Sequence, residues 1–144
     1  MDTAQQIIDL IEPFVKQGKI LHRSYAQIKD NIGDFVVLRE GKVVIACAGL
    51  KDCQDGNMGE IYALAVAEKA QNQGVSLALM SKIMQKAHTD NFAKIFALSK
   101  HNSQWFLKQG FTQMPIDKLP KKNQKNFNHQ RNSFIFFKEI KGAN

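Results

Sequence analysis

Ile7, Ile8, Leu10, Ile11, Phe14 and Val15 recur at the helical period, and Thr3-Ala4-Gln5-Gln6 ahead of them has capping-box spacing. Pro13 is expected to kink this first helix and Gly18 to end it. Ser24-Tyr25-Ala26-Gln27 opens a second short helix that runs to about Ile32. The period then changes. Phe35 to Arg39 reads as a strand, Glu40-Gly41 as a turn and Lys42 to Leu50 as the hairpin partner. Asp52 to Met58, polar and containing Gly56, is a loop, and Glu60 to Val66 is apolar enough for a central strand. Gly74 to about Asp90 is the long helix, with Leu77, Leu79, Met80, Ile83, Met84 and Ala87 available for a buried face. Lys94 to Ser99 is a strand, and Ser103 to Gln109 a short helix closed by Gly110 at the C′ position. Phe111 to Met114 and Ser133 to Lys138 are two more strands, separated by a long Lys/Asn-rich loop. A hairpin followed by a β-loop-α crossover implies an α+β fold, a mixed central sheet with helices on both faces.

Composition narrows this picture only a little. The chain of 144 residues fits one domain, 1–144, and its 44% hydrophobic and 23% charged residues argue against disorder. Cys47 and Cys53 have neither metal-ligand spacing nor a disulfide framework, and Cys47 lies in an apolar run as a small core residue. No metal is expected. The start Met1-Asp2-Thr3-Ala4-Gln5 has no basic or apolar signal region, and no apolar stretch approaches the ~18 residues that span a membrane. A cytoplasmic protein is expected, with no membrane partner. The net charge of +7 could mark a nucleic-acid binder, but only Lys118, Lys121, Lys122 and Lys125 cluster, beside Pro120, and no recognised DNA- or RNA-binding motif accompanies them. A solvated loop face, or a field attracting anionic small molecules, accounts for the charge better.

The junction between central strand and long helix carries the first chemistry. It reads Leu64-Ala65-Val66-Ala67-Glu68-Lys69-Ala70-Gln71-Asn72-Gln73-Gly74-Val75-Ser76. Small residues at Gly74 and Ser76 let a ligand approach the backbone, and the helix start offers unpaired N–H groups that favour an anion. This segment resembles the Gln/Arg-x-x-Gly-x-Gly/Ala turn of GNAT acetyltransferases, with Gln71, Gly74 and an off-pattern Ser76. Ser103-Gln104-Trp105-Phe106-Leu107-Lys108-Gln109-Gly110-Phe111 resembles a second GNAT segment at the right distance. The resemblance implies a GNAT fold with acetyl-CoA as co-substrate, contacted by Leu64, Val66, Gln71, Asn72, Gln73, Gly74, Val75, Ser76, Trp105 and Phe106. Taken alone, Trp105 and Phe106 would more often be core residues.

A narrower resemblance covers nearly the whole chain. Leu21-His22-Arg23-Ser24, Ile45-Ala46-Cys47-Ala48-Gly49-Leu50, Gly59-Glu60, Leu64-Ala65-Val66 and Phe127-Asn128-His129-Gln130-Arg131-Asn132-Ser133 are similar to the acetyltransferase domain of N-acetylglutamate synthases. The resemblance implies acetyl transfer to the α-amine of L-glutamate, a step of arginine biosynthesis. It implies that Arg23 and the Leu21 backbone hold one substrate carboxylate, and Arg131 and Ser133 the other. Guanidinium suits that task, because its planar fork binds carboxylate in a bidentate way that lysine cannot reproduce. The chain has only three arginines, Arg23, Arg39 and Arg131, and two fall at these positions. Glu60 matches the family's proposed base, acting through water on the protonated amine, and Ser99 its proposed acid, or a hydrogen-bond donor to the departing thiolate. Backbone groups at Ala63 and Leu98 would hold the acetyl carbonyl or the substrate. Each of these has a plain structural alternative: Glu60 as an edge charge paired with a lysine, Ser99 as a strand-end cap, either arginine as a surface ion pair. His101 reads as a surface residue or an auxiliary base.

The chain departs from that family in three ways. The amino-acid-kinase-like domain that binds arginine as inhibitor has no counterpart in these residues, so that regulation is not expected of them. The strand before the first helix is missing, so the sheet loses an edge strand or borrows one, which leaves a homodimer open. Gln71-Asn72-Gln73 stands where arginine and glycines are more usual. Two other functions compete with glutamate acetylation. One is a GNAT enzyme acting on another amino acid, a polyamine or a peptide amine, though a cationic acceptor would be repelled by two guanidinium groups. The other is a catalytically silent CoA-binding or partner-binding module.

Overall fold

The computed structural model describes residues 2–125, 127 and 133–140. Six strands lie in the order β1-β2-β3-β4-β6-β5, a mixed sheet. The chain divides into two compact units, Met1–Leu50 with Ala63–Ile83, and Lys51–Tyr62 with Met84–Asn144.

The first unit begins with α1 (Thr3–Lys16) and α2 (Tyr25–Asp30). No strand precedes α1 among the described residues. Thr3 is not the cap that the spacing suggested. Asp2 caps α1, accepting the Gln5 N–H at 2.8 Å, because its carboxylate is a better acceptor beside orphan donors. The same carboxylate accepts from the Tyr25 hydroxyl and from Lys29 Nζ, and these bonds hold its pKa below the ordinary value. Thr3 Oγ1 instead accepts from Arg39 Nη2 at 2.8 Å. The helix runs through Pro13, and Gly18, at φ +72°, follows its end. Ser24 and Gln27 form a reciprocal capping box on α2.

β1 (Phe35–Glu40) and β2 (Val43–Asp52) form the antiparallel hairpin, with Gly41 (φ +61°) in its turn. Residues 44–50 of β2 are all buried, which is why this stretch reads as a continuous apolar run rather than an alternation. Ile7, Ile11, Ile28, Cys47 and Ala65 pack together as this unit's core. β3 (Met58–Val66) passes from the second unit into the first at Ala63. From there the chain enters α3 (Val75–Thr89). Leu79, Met80, Ile83 and Ala87 line the buried side of α3, but Leu77 is 63% exposed. The stripe set by Leu79, Ile83 and Ala87 puts Leu77, two residues earlier, on the opposite side of the helix.

In the second unit, the start of β3 pairs in parallel with β4 (Lys94–Ser99), from Met58↔Lys94 to Ile61↔Ala97. β4 pairs antiparallel with β6 (Phe134–Glu139), which also pairs with β5 (Thr112–Met114). α4 (Ser103–Lys108) ends in a Schellman motif: Phe111 N–H bonds to the Phe106 carbonyl and Gly110 N–H to that of Leu107, both at 3.1 Å. Gly110 sits at φ +88°, and a Cβ there would lie 2.6 Å from Lys138 Nζ. The Lys/Asn-rich segment is not all loop. It holds a 3-10 turn at Ile116–Lys118 and a short helix, α5 (Lys121–Lys125), because buried Leu119 anchors it and Gln124 Nε2 bonds back to the Leu119 carbonyl at 2.7 Å.

Candidate active site

The turn before α3 is built from backbone. Asn72 (φ +65°) and Gly74 (φ +77°) both adopt the left-handed region, so the chain reverses sharply after β3. The first intrahelical bond of α3 runs from Ala78 N–H to the Gly74 carbonyl at 3.2 Å. The N–H groups of Val75, Ser76 and Leu77 therefore have no partner within the helix and point out of its N-terminus. Among the described residues, leaving out its two chain neighbours, no atom lies within 4 Å of where a Gly74 Cβ would stand. Gln71 Nε2 donates to the Val66 carbonyl at 3.1 Å, and Gln73 Nε2 to that of Lys69 at 3.2 Å. The two glutamines thus brace the turn with their side chains. The space before Gly74 and the donors beyond it fit a pyrophosphate.

Ala63 has φ +50° inside β3, a conformation that costs a non-glycine residue roughly 1–2 kcal/mol. Its carbonyl accepts from Cys47 Sγ at 3.3 Å. Burial pushes the Cys47 thiol up to about 12, so Cys47 is an inert core donor. In the same unit, Arg23 Nη1 donates to the Leu21 carbonyl at 3.1 Å, while the Leu21 side chain is 49% exposed. Arg131 lies outside the described residues. Ser133 directly precedes β6 and is half-buried.

Glu60 sits in the second unit with its side chain 14% exposed. Parallel pairing places it beside Phe96, on the face where Phe96 and Phe137 stand opposite each other on β4 and β6. Lys51 Nζ lies 3.6 Å from Glu60 Oε1, and Asn123 Nδ2 donates to that oxygen at 3.3 Å. Lys51 Nζ also lies over the Tyr62 ring, 5.2 Å from its centroid. The lysine pairing considered as an alternative for Glu60 is therefore present, but on a largely buried carboxylate rather than an edge charge. Burial pushes the neighbouring Cys53 thiol up to about 11; Glu60's charge adds to the rise and Lys51's opposes it.

Ser99 is buried at the end of β4, and its Oγ accepts the Asn102 N–H at 3.1 Å. It is a strand-end cap, and accepting that bond leaves its O–H able to donate. Leu98 beside it is 37% exposed, and His101 is exposed in the turn leading to α4. Phe106 is packed in the core, as the structural alternative to a cofactor contact has it. It is 3% exposed, stacks on Phe136 at 5.5 Å and meets Phe111 edge-on at 5.1 Å. Burying such a ring contributes about 1.5–3 kcal/mol, which explains the aromatic motif without a ligand. Trp105, half-buried, packs edge-on against it. Lys51 and Asn123 escaped the sequence reading: one ends a strand and the other lay in what read as loop. Among the described residues no group of three or more His, Cys, Asp or Glu could hold a metal, and no helix is long and apolar enough to cross a membrane.

The fold and the turn define a class, an α+β domain with a mixed sheet and an anion-ready helix N-terminus after its central strand. The chain belongs to the acetyltransferase (GNAT) family, whose profile matches residues 4–111. An amino-acid acetyltransferase of Neisseria meningitidis is 34% identical over 135 residues, covering 93% of this chain. A structure of N-acetylglutamate synthase from Neisseria gonorrhoeae, complexed with coenzyme A and N-acetyl-glutamate, superposes with a TM-score of 0.89 at 34% identity, covering 94% of this chain and 32% of that one. A GNAT acetyltransferase of Staphylococcus aureus shares the fold at 16% identity, with a TM-score of 0.77 over 96% of this chain and 93% of that one. The chain spans 31% of the length of the Neisseria meningitidis relative.

Proposed function

We propose that residues 1–144 form an acetyltransferase domain that moves acetyl from acetyl-CoA to the α-amine of L-glutamate. The observation that carries the transferase reading is Glu60, a carboxylate 14% exposed on the central strand of a GNAT fold. The acceptor is supported by the 34% identity with amino-acid acetyltransferase and N-acetylglutamate synthase over nearly the whole chain. The arginine inventory agrees. Of the three arginines, Arg23 and Arg131 are the two that match the family's substrate positions, and a planar guanidinium fork suits each carboxylate.

In this reading the backbone of Gln71 to Ser76 binds the CoA pyrophosphate, with the N–H groups at the start of α3 supplying the positive end. Glu60 accepts a proton from the substrate ammonium through water, and the freed amine attacks the thioester carbonyl. A C–N bond forms and the C–S bond breaks. Backbone groups at Ala63 and at Leu98 hold the acetyl carbonyl or the substrate, and the Ser99 hydroxyl donates toward the departing thiolate. Two free thiols, Cys47 and Cys53, suit a reducing compartment such as the cytoplasm.

A free-thiol release assay with acetyl-CoA across amino acids and amines tests this directly. Glutamate should be the preferred acceptor and glutamine, which lacks the side-chain charge, a poor one. Arg23→Lys keeps the charge but not the fork, and should lower kcat/KM for glutamate roughly 10- to 100-fold. Equal rates for glutamate and glutamine with the unmutated protein would remove glutamate as the acceptor.

A further inference from the structure

We propose that Lys51 and Asn123 are positioning residues for the Glu60 carboxylate, holding it in one orientation and keeping it ionised. This rests on the reading of Glu60 as the base. The two contacts come from different elements, the end of β2 and α5, and both land on Oε1, at 3.6 Å and 3.3 Å. A carboxylate gripped from two directions through one oxygen loses its freedom to rotate. Lys51 is itself steered, since its ammonium lies over the Tyr62 ring. The floor beneath Glu60 is aromatic, with Phe96 beside it and Phe137 opposite Phe96, so each polar contact counts for more than it would in water.

Charge then divides the work. Among the described residues the charged or titratable side chains around Glu60 are few. Lys51 stands at the end of β2, followed by the exposed Asp52 and Asp55 and by Cys53, whose thiol stays neutral across the working range. β4 brings Lys94, whose ammonium is turned over the Phe137 ring, and α5 brings the exposed Lys121, Lys122 and Lys125. Lys51 lies at ion-pair distance from the carboxylate and so supplies positive charge there, while Asn123 adds a neutral directional bond. An adjacent cation favours the ionised carboxylate, whereas losing a neutral donor disturbs geometry more than charge.

Two measurements test the pair. The first is a 13C carboxylate titration of Glu60 by NMR, assigned against Glu60→Gln and run without substrate. Lys51→Met should move the midpoint upward by about one pH unit, and Lys51→Arg should restore most of the shift. The second is kcat against pH for thiol release. Its acid limb should follow the same shift in Lys51→Met, while Asn123→Ala should lower kcat roughly 3- to 10-fold with the KM for glutamate unchanged. An unmoved Glu60 midpoint in Lys51→Met overturns the proposal, and so does a loss confined to the KM for glutamate, which would make Lys51 a substrate ligand. Failure of the underlying reading looks different: Glu60→Gln would then keep its turnover whatever the midpoint does.

Discussion

The turn at 71–76 and the carboxylate at Glu60 are built by opposite means. In the turn the groups proposed to bind are backbone N–H donors, aimed by two left-handed residues and a helix start that lie close together in sequence. Around Glu60 the working groups are side chains, and Asn123 reaches the carboxylate from 63 positions away. A backbone-built site survives most substitutions that its φ values tolerate, and Gln71, Asn72 and Gln73 illustrate how much side-chain variety it can carry. A side-chain site fails when one atom moves. The two regions should therefore respond to mutation in different currencies, ligand affinity in the first and turnover in the second.

The largest effect belongs to the side-chain site. Glu60→Gln keeps the size and most of the hydrogen-bonding pattern but removes the proposed base, so kcat should fall about 10²-fold or more. The KM for glutamate and the affinity for CoA should change little, because neither contact is made by this carboxylate. Near-normal kcat across the pH range would place the base elsewhere and collapse the contrast; exposed His101 would then be the next residue to replace.

A smaller effect, and a different one, is expected at the turn. Among the described residues, its chain neighbours aside, nothing lies within 4 Å of a Cβ at Gly74, so steric contact there is not the source of the effect. The penalty comes from φ +77° and from filling the space before the orphan donors. Gly74→Val should weaken CoA binding about 10-fold, measured by calorimetry, at a cost set by the same few kcal/mol of backbone strain. Gly74→Asn separates the two causes, since asparagine tolerates the left-handed region yet still fills the space. Unchanged affinity in Gly74→Val would exclude the turn as the anion site.

How much of each region could be read in advance follows from the same contrast. The turn at 71–76 is legible as a strand-to-helix junction because Gly74 leaves a local mark. The helix closed by Gly110 was legible for the same reason, since a Schellman motif is local chemistry. What failed to show was either a competition between close alternatives or a contact between distant residues. Asp2 displaced Thr3 as the cap of α1 because a carboxylate one position earlier is the stronger acceptor. Leu77 joined the apolar count of α3 although its phase put it outside the stripe. Phe106 belongs to the core because its partners Phe111 and Phe136 surround it, and Phe136 comes from the last strand. Lys51 and Asn123 carried no pattern at all, since only the folded chain brings them to Glu60.

The smallest effect tests where a local structural role and a chemical one share an atom. Ser99 Oγ accepts the Asn102 N–H and so ties the end of β4 to the turn before α4, while its proton is the proposed donor to the departing thiolate. Ser99→Ala removes both. Losing the cap should lower stability by about 0.5–1.5 kcal/mol, read as a reduced denaturant midpoint. Losing the donor should lower kcat by less than 10-fold, because water can replace a weak acid. Ser99→Thr keeps the hydroxyl and should restore both. The leaving group separates them: a thioester whose thiol has a lower pKa needs less help to depart, so the kcat deficit of Ser99→Ala should shrink with it while the stability deficit stays the same. A kcat deficit that ignores the leaving group would make Ser99 a cap alone, and one as large as that of Glu60→Gln would mean that thiolate departure, rather than amine attack, limits the reaction.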